Sequence, residues 1–221
     1  MAKVVALLLG LTLTFIVGFS GNALCAGNDL VIADFEKWPN NLGGQMGVYG
    51  SLEPKWEDKA KVPYSWVYAP DVVGYSKDNV HSGKQSFRLV NGLGANAAES
   101  WGSFGMDMGR VVDAVPVPVK IESKDVSGYK YLTFWVKGEK GGEHMEVTFR
   151  DANAVTYTPQ FKYKIPDATT SWQKIIVPLD KIKGKIDLTA LDNVSIAFGQ
   201  DVSNDKGATV YLDDFVFTNS Q

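Results

Sequence analysis

The sequence predicts an all-β chain folded as an antiparallel β-sandwich, and two observations predict it. From Asn28 onward the chain alternates short strand-like runs with clusters of Gly, Pro, Asn and Asp. Eight such runs stand out: "DLVIADFE", "QSFRLV", "WGSFGMDM", "YLTFWVKG", "HMEVTFRD", "WQKIIVPL", "NVSIAFG" and "TVYLDDFVF". Short strands at close spacing with turn signals between them are the pattern of a sandwich. Helical signals are weak, because "SLEPKWEDKAK" (51–61) and "PLDKIKGKIDLTALD" (178–192) have room for a turn or two each and are interrupted by Pro54 and Gly184.

Each run assigns its side chains by a period of two. In the first, "ADFE" places Asp34 and Glu36 on one face of the strand. In "WGSFGMDM", Phe104, Met106 and Met108 point inward and Trp101, Ser103, Gly105 and Asp107 outward. "YLTFWVKG" and "HMEVTFRD", joined by "EKGGE", read as a hairpin. Leu132, Phe134 and Val136 then match Met145, Val147 and Phe149, leaving Thr133, Trp135, Lys137, Glu146, Thr148 and Arg150 on the other face. "NVSIAFG" sends Val194, Ile196 and Phe198 inward and Asn193, Ser195, Ala197 and Gly199 outward. In "YLDDFVF", strict alternation gives Tyr211, Asp213, Phe215 and Phe217 one face and Leu212, Asp214 and Val216 the other. At least one acid then lies among large apolar groups, and a carboxylate removed from water needs a partner.

The 221 residues carry 45% hydrophobic and 21% charged side chains, the composition of an ordinary globular domain. A net charge of −3 and the lack of a Lys/Arg cluster exclude nucleic acid as a natural partner. Residues 1–26 have the layout of a secretory signal peptide: Lys3, the run "VVALLLGLTLTFIVGF", then the small residues of "SGNALCAG". Cleavage after Cys25 or Ala26 is expected, leaving residues 27–221 as a secreted or periplasmic β-sandwich domain without a membrane span. An uncleaved anchor and a lipoprotein acylated at Cys25 are the alternatives, the second opposed by Leu24 where a small residue belongs. Cys25 is the only cysteine, so the mature domain must hold itself by core packing or by a bound ion.

The chain lacks HExxH, GxSxG, a P-loop and a strand-borne GxGxxG, and His81 and His144 are far apart in sequence. Nucleophilic triads are thus unsupported, while a polysaccharide-cleaving enzyme would need two of its many carboxylates facing each other across a groove. A metal is a second possibility. The acids of "ADFE" and "LDDF" meet if the two chain ends pair, and the turn Ser82-Gly83-Lys84 has carbonyls to offer. Carboxylates and carbonyls from separate segments suit calcium, which takes about six to eight oxygens. The plainer reading pairs these acids with Lys37, Lys84 or Arg88, or leaves them in water. Aromatic residues are a third. Trp101 and Trp135, sharing a face with Arg150 and Glu146, would make a stacking platform for sugar rings, unless the aromatic segment 37–80 covers Trp135.

"VIADFE", "HSGKQSFRL", "WGSFGMDMG", "GYKYLTFWVKGEKGGEHMEVTFRD", "TTSWQKIIVPLDKI", "DLTALDNVSIAFG" and "GATVYLDDFVF" together resemble the jelly-roll carbohydrate-binding modules of the galactose-binding-like fold. The likeness runs over residues 30–218 and is nearest to the β-glucan-binding family eleven modules and to the domain of complex I intermediate-associated proteins. It implies a structural calcium near the chain termini, to which Glu36, the carbonyl region of Ser82 to Lys84, and Asp213 would correspond. It also implies a concave sheet face that binds poly- or oligosaccharide, with Trp101 and Trp135 as its aromatics and Arg150 and Gln200 as its polar rim. The function expected is that of an exported, non-catalytic carbohydrate-binding module. A structural or assembly protein that holds a polypeptide partner is the rival.

Overall fold

Apolar side chains on every second residue need a second surface to cover them, and in the computed structural model two antiparallel sheets supply it for each other. The structure describes residues 29–49, 74–91, 101–113, 120–154, 160–199, 202–205 and 207–221. Its strands are β1 (Leu30–Ala33), β2 (Met46–Tyr49), β3 (Gly74–Ser76), β4 (Ser86–Val90), β5 (Trp101–Asp107), β6 (Val111–Asp113) and β7 (Lys120–Ile121). They continue with β8 (Tyr131–Gly138), β9 (Glu146–Asp151), β10 (Phe161–Lys164), β11 (Gln173–Pro178), β12 (Leu191–Gly199) and β13 (Thr209–Thr218). The helical signal of 178–192 becomes two single 3-10 turns, Leu179–Lys181 and Leu188–Ala190.

One sheet, here sheet A, runs β11-β8-β13-β4-β3, with β1 paired to the far half of β13. Sheet B runs β10-β9-β12-β5-β2, and β6 and β7 form a separate ribbon. β13 organises sheet A: its first half pairs with β4, its second half with β1, and β8 lies along its other side. The interior is aromatic. Phe35 sits within 5.5 to 6.0 Å of Phe87, Phe104 and Phe215, and Phe134 stacks on Phe215 at 4.4 Å with 3° between the planes. Phe87 of sheet A meets Phe104 of sheet B at 4.2 Å, so the two sheets interlock there.

Three expectations are corrected. β8 and β9 are not a hairpin: β8 belongs to sheet A and β9 to sheet B, and the connection "EKGGE" crosses between the sheets. Their apolar residues still point inward, but at each other across the core. Strict alternation also fails in β13. Val136 pairs with Leu212 and Trp135 with Asp213, but Thr133 pairs with Val216, a bulge that Asp214 completes at φ +50°. Leu212, Phe215 and Phe217 all reach the core as a result. In the first run the strand stops at Ala33. Phe35 then turns inward at φ +55°, while Asp34 Oδ2 accepts a bond from Asn41 Nδ2 at 2.9 Å and the Asp34 N–H donates to Asn41 Oδ1 at 3.1 Å.

Phe215→Ala is expected to cost about 3–5 kcal/mol, the range for a large aromatic removed from a packed core. Denaturant unfolding measures it; a loss under about 1 kcal/mol would show that the bulge does not deliver Phe215 to the interior.

Candidate functional site

Removing the Asp213 carboxylate from water demands donors, and the bulge in β13 brings it to a chain reversal that has them. Asp213 is 0% exposed. Its Oδ2 accepts the N–H groups of His81 (3.1 Å) and Ser82 (3.2 Å), and its Oδ1 that of Asp214 (3.0 Å). Burial, and then the neighbouring Asp214 charge, push its carboxyl up to about 7, against those three N–H groups. Asp214 holds the same turn from beside it, through His81 Nδ1 (2.8 Å) and the Ser82 hydroxyl (2.9 Å). Glu36 closes the other side, where its Oε1 accepts the N–H groups of Lys84 (2.7 Å) and Gln85 (3.1 Å). Gly83 makes this possible at φ +67°, and a Cβ there would stand 2.3 Å from Glu36 Oε1.

Successive N–H groups in such a reversal form a nest for anions. The expected metal set meets at this turn, with Ser82 and Lys84 bonded to the acids through their N–H groups. Glu36 and Asp213 are the members of the set whose oxygens suit a hard cation by chemistry. Among the described residues, the one group of three potential ligand side chains within 4.8 Å is His81, Asp213 and Asp214.

Trp135 belongs to this knot and not to a platform with Arg150. It stands directly across from Asp213 on the outer face of sheet A, half-buried. The His81 ring stacks on it at 3.8 Å and 18°, with Trp172 edge-on to His81 at 5.7 Å. Assigning the "EKGGE" connection to one sheet is what misplaced it.

Arg150 lies on the outer face of sheet B. There the register lines up Asp107 of β5, Asn193 of β12 and Arg150 of β9 as one rung across three strands. Asn193 Nδ2 donates to Asp107 Oδ1 (2.9 Å), and its Oδ1 accepts the Ser195 hydroxyl. A register shift between Leu191 and Asn193 lets Asp192 reach the same side, where Arg150 Nε donates to it at 2.8 Å. Asp107 is 1% exposed and Arg150 6%. Burial pushes the Asp107 carboxyl up to about 7, with Asn193 and Arg150 pulling it down and Asp192 adding to the rise. Burial likewise raises Asp192, against the bond and charge of Arg150. Along the rest of this face the register brings Gly47, Gly105 and Ser195 together, then Ser103 and Ala197. These rows continue into Thr148 and Glu146 of β9, so small and polar side chains lie beside the rung.

Of the expected rim, Arg150 is in this place and Gln200 lies outside the described residues. Trp101 opens β5 opposite Gly199, and its side chain lies outside them too. Asp107, Asp192, Asn193 and Ser195 were not among the expected site residues. The outward parity of Asp107, Asn193 and Ser195 was readable, as polar residues at outward positions beside glycine, whereas Asp192 reaches this side only through the bulge before Asn193.

The class that the fold and the comparisons define is that of the carbohydrate-binding modules, which bind and do not catalyse. The chain belongs to the family described as carbohydrate binding domain 30, whose model matches residues 73–219. Solved structures share the fold. A family 30 module of the cellulosomal cellulase Cel9D-Cel44B of Clostridium thermocellum is 20% identical, covering 88% of this chain and 99% of its own, with a TM-score of 0.52. A family 11 module from the same organism, in complex with a β-1,3-1,4-mixed-linked tetrasaccharide, is 14% identical, covering 88% of this chain and 98% of its own, also at 0.52. No curated protein matches the chain.

Asp213→Ala should destabilise the fold by about 3 kcal/mol, since three backbone N–H groups lose their acceptor. Asp214→Ala, at a half-buried position, should cost about 1 kcal/mol. Equal losses in chemical denaturation would refute the unequal roles given to the two acids.

Proposed function

We propose that this module is exported and holds a neutral β-linked poly- or oligosaccharide along the outer face of sheet B, across the rung Asp107–Asn193–Arg150. The observation that carries this reading is the rung itself. Polar side chains on the outer face of a sheet ordinarily spread into water, whereas these are buried and fixed by one another. Sugar hydroxyls are matched by donors and acceptors held in place before the ligand arrives. Trp101 remains the aromatic candidate through its sequence parity with Ser103 and Gly105. The tetrasaccharide carried by the family 11 structure makes a mixed-linked β-glucan the first ligand to try.

A structural calcium at the chain-end knot is part of the same proposal. Glu36 and Asp213 converge on one turn, and a cation would relieve the burial that drives the Asp213 carboxyl upward. Ser82 and Lys84 then orient the acids through their N–H groups. Export rests on the leader-like residues 1–26; among the described residues no helix is long and apolar enough to cross a membrane.

Affinity electrophoresis through mixed-linked β-glucan tests the ligand face. Arg150→Gln should weaken retention about tenfold or more while the melt confirms folding, and Trp135→Ala, on the opposite sheet, should bind as the unaltered chain does. Loss of retention in Trp135→Ala with Arg150→Gln unaffected would move the site to sheet A. For the ion, a chelator should lower the melting temperature of the unaltered chain and leave that of Asp213→Ala unmoved. An unchanged melt in both would mean that the amide nest suffices without calcium.

A further inference from the structure

The fold gathers charge that the sequence leaves dispersed. Residues 161–185 contain six lysines against two aspartates, in a chain whose net charge is −3. Lys162 and Lys164 lie on β10, the edge strand of sheet B, opposite Thr148 and Glu146 of β9. Those two residues share the parity of Arg150, so both lysines stand on the same outer face as the rung. A separate element adds to them. The turn after the first 3-10 segment is pinned by buried Ile182 and Ile186, and between them it exposes Lys183, Gly184 and Lys185. Lys185 Nζ lies 4.4 Å from the centre of the Phe161 ring, which sets this turn against the start of β10. Among the described residues, the one ion pair made by these four lysines joins Lys162 Nζ to Glu146 Oε2 at 3.9 Å. The nearby aspartates are engaged elsewhere: Asp167 lies 2.7 Å from His144 Nδ1, and Asp187 holds the N–H and hydroxyl of Thr189. Asp180 sits beside Lys181 in the 3-10 turn.

We propose that this edge is an anion-binding extension of the glycan face, where Lys162, Lys164, Lys183 and Lys185 hold carboxylate groups borne by an acidic polysaccharide. The inference rests on the reading that the outer face of sheet B holds the glycan. Lys162 is one strand from Thr148 and two from Ser195. Those steps are about 5 Å and about 10 Å across a sheet, so a chain lying on this face meets the lysines as it leaves over β10. Lysine on an edge strand also guards it against pairing with another chain. That role accounts for Lys162 and Lys164 but not for Lys183 and Lys185, which stand on a turn. Like charges drawn together from two elements repel, and a bound polyanion relieves the repulsion. At about 0.1 M salt, charges are screened over about 10 Å, so only carboxylates at the edge itself feel the lysines. The glycan is thereby oriented, with a neutral run over the rung and its acidic groups at β10.

Titration calorimetry on the full chain tests this with mixed-linked β-glucan and with the same polymer partially carboxymethylated, each at about 20 mM and about 300 mM salt. The carboxymethylated polymer is expected to bind several-fold more tightly at low salt, and the preference should fade at high salt. The ratio of the two affinities should fall to near one in the variant Lys162→Gln/Lys164→Gln/Lys183→Gln/Lys185→Gln. It should persist in Lys162→Arg/Lys164→Arg/Lys183→Arg/Lys185→Arg, which keeps the charges. Equal affinity for the two polymers at low salt would overturn the proposal, and so would a preference that survives the four Lys→Gln changes. Competition by polyglutamate as effective as by the carboxymethylated glucan would also overturn it, leaving a general polyanion surface in its place. Binding of neither polymer would remove the glycan face itself, a result distinct from equal binding of both.

Discussion

A carboxylate placed in the dry part of a sheet has to find hydrogen-bond donors, and this requirement shapes the end of the molecule where the chain's first and last strands meet. Asp213 is fully buried, and its three donors are backbone N–H groups, two of them more than a hundred residues away in sequence. The bulge that aims it also resets the parity of β13, so Phe215 and Phe217 reach the core that Leu212 began to fill. One irregularity thus fixes the turn at residues 81–85, the approach of Glu36, and the aromatic packing of Phe35, Phe134 and Phe215. A regular strand would have offered either the acids or the phenylalanines a good environment, but not both.

The two outer faces then do different work. On sheet A, Trp135, His81 and the acids of β13 are spent on each other, and their contacts stabilise the fold. On sheet B, the rung from Asp107 to Arg150 is held by bonds between neighbouring strands and lies on the outer face. The difference is one of connection: the knot ties segments distant in sequence, whereas the rung joins neighbours already paired as strands. A face built on paired strands has its geometry fixed by the sheet.

Much of this was legible in the sequence where a period of two operates without interruption. Phe104, Met106 and Met108 inward, and Asn193, Ser195 and Ala197 outward, follow from alternation alone and hold in the structure. What alternation cannot show is which sheet a strand joins. "EKGGE" has the length of a hairpin loop, and its flanking strands have apolar positions that match equally well side by side or face to face. Trp135 was therefore given the right side of its strand and the wrong sheet. The bulges at Asp213–Asp214 and before Asn193 were hidden for a related reason, since each depends on a partner far along the chain. The turn at Gly83 was visible, but whether its N–H or C=O groups face the acids is decided by backbone dihedrals that composition does not encode.

The pairing of β1 with β13 has a mechanical side. Leu30 lies opposite Phe217 in antiparallel register, so the segments before β1 and after β13 leave from the same end of the sheet. A pull applied through those two segments loads the hydrogen bonds between β1 and β13 one pair after another, as a zipper is opened, and not all at once as in shear. Such a seam parts at low force until it reaches the point where Glu36 grips the turn at Lys84 and Gln85. The anchored turn is then a hold on the chain just beyond β1.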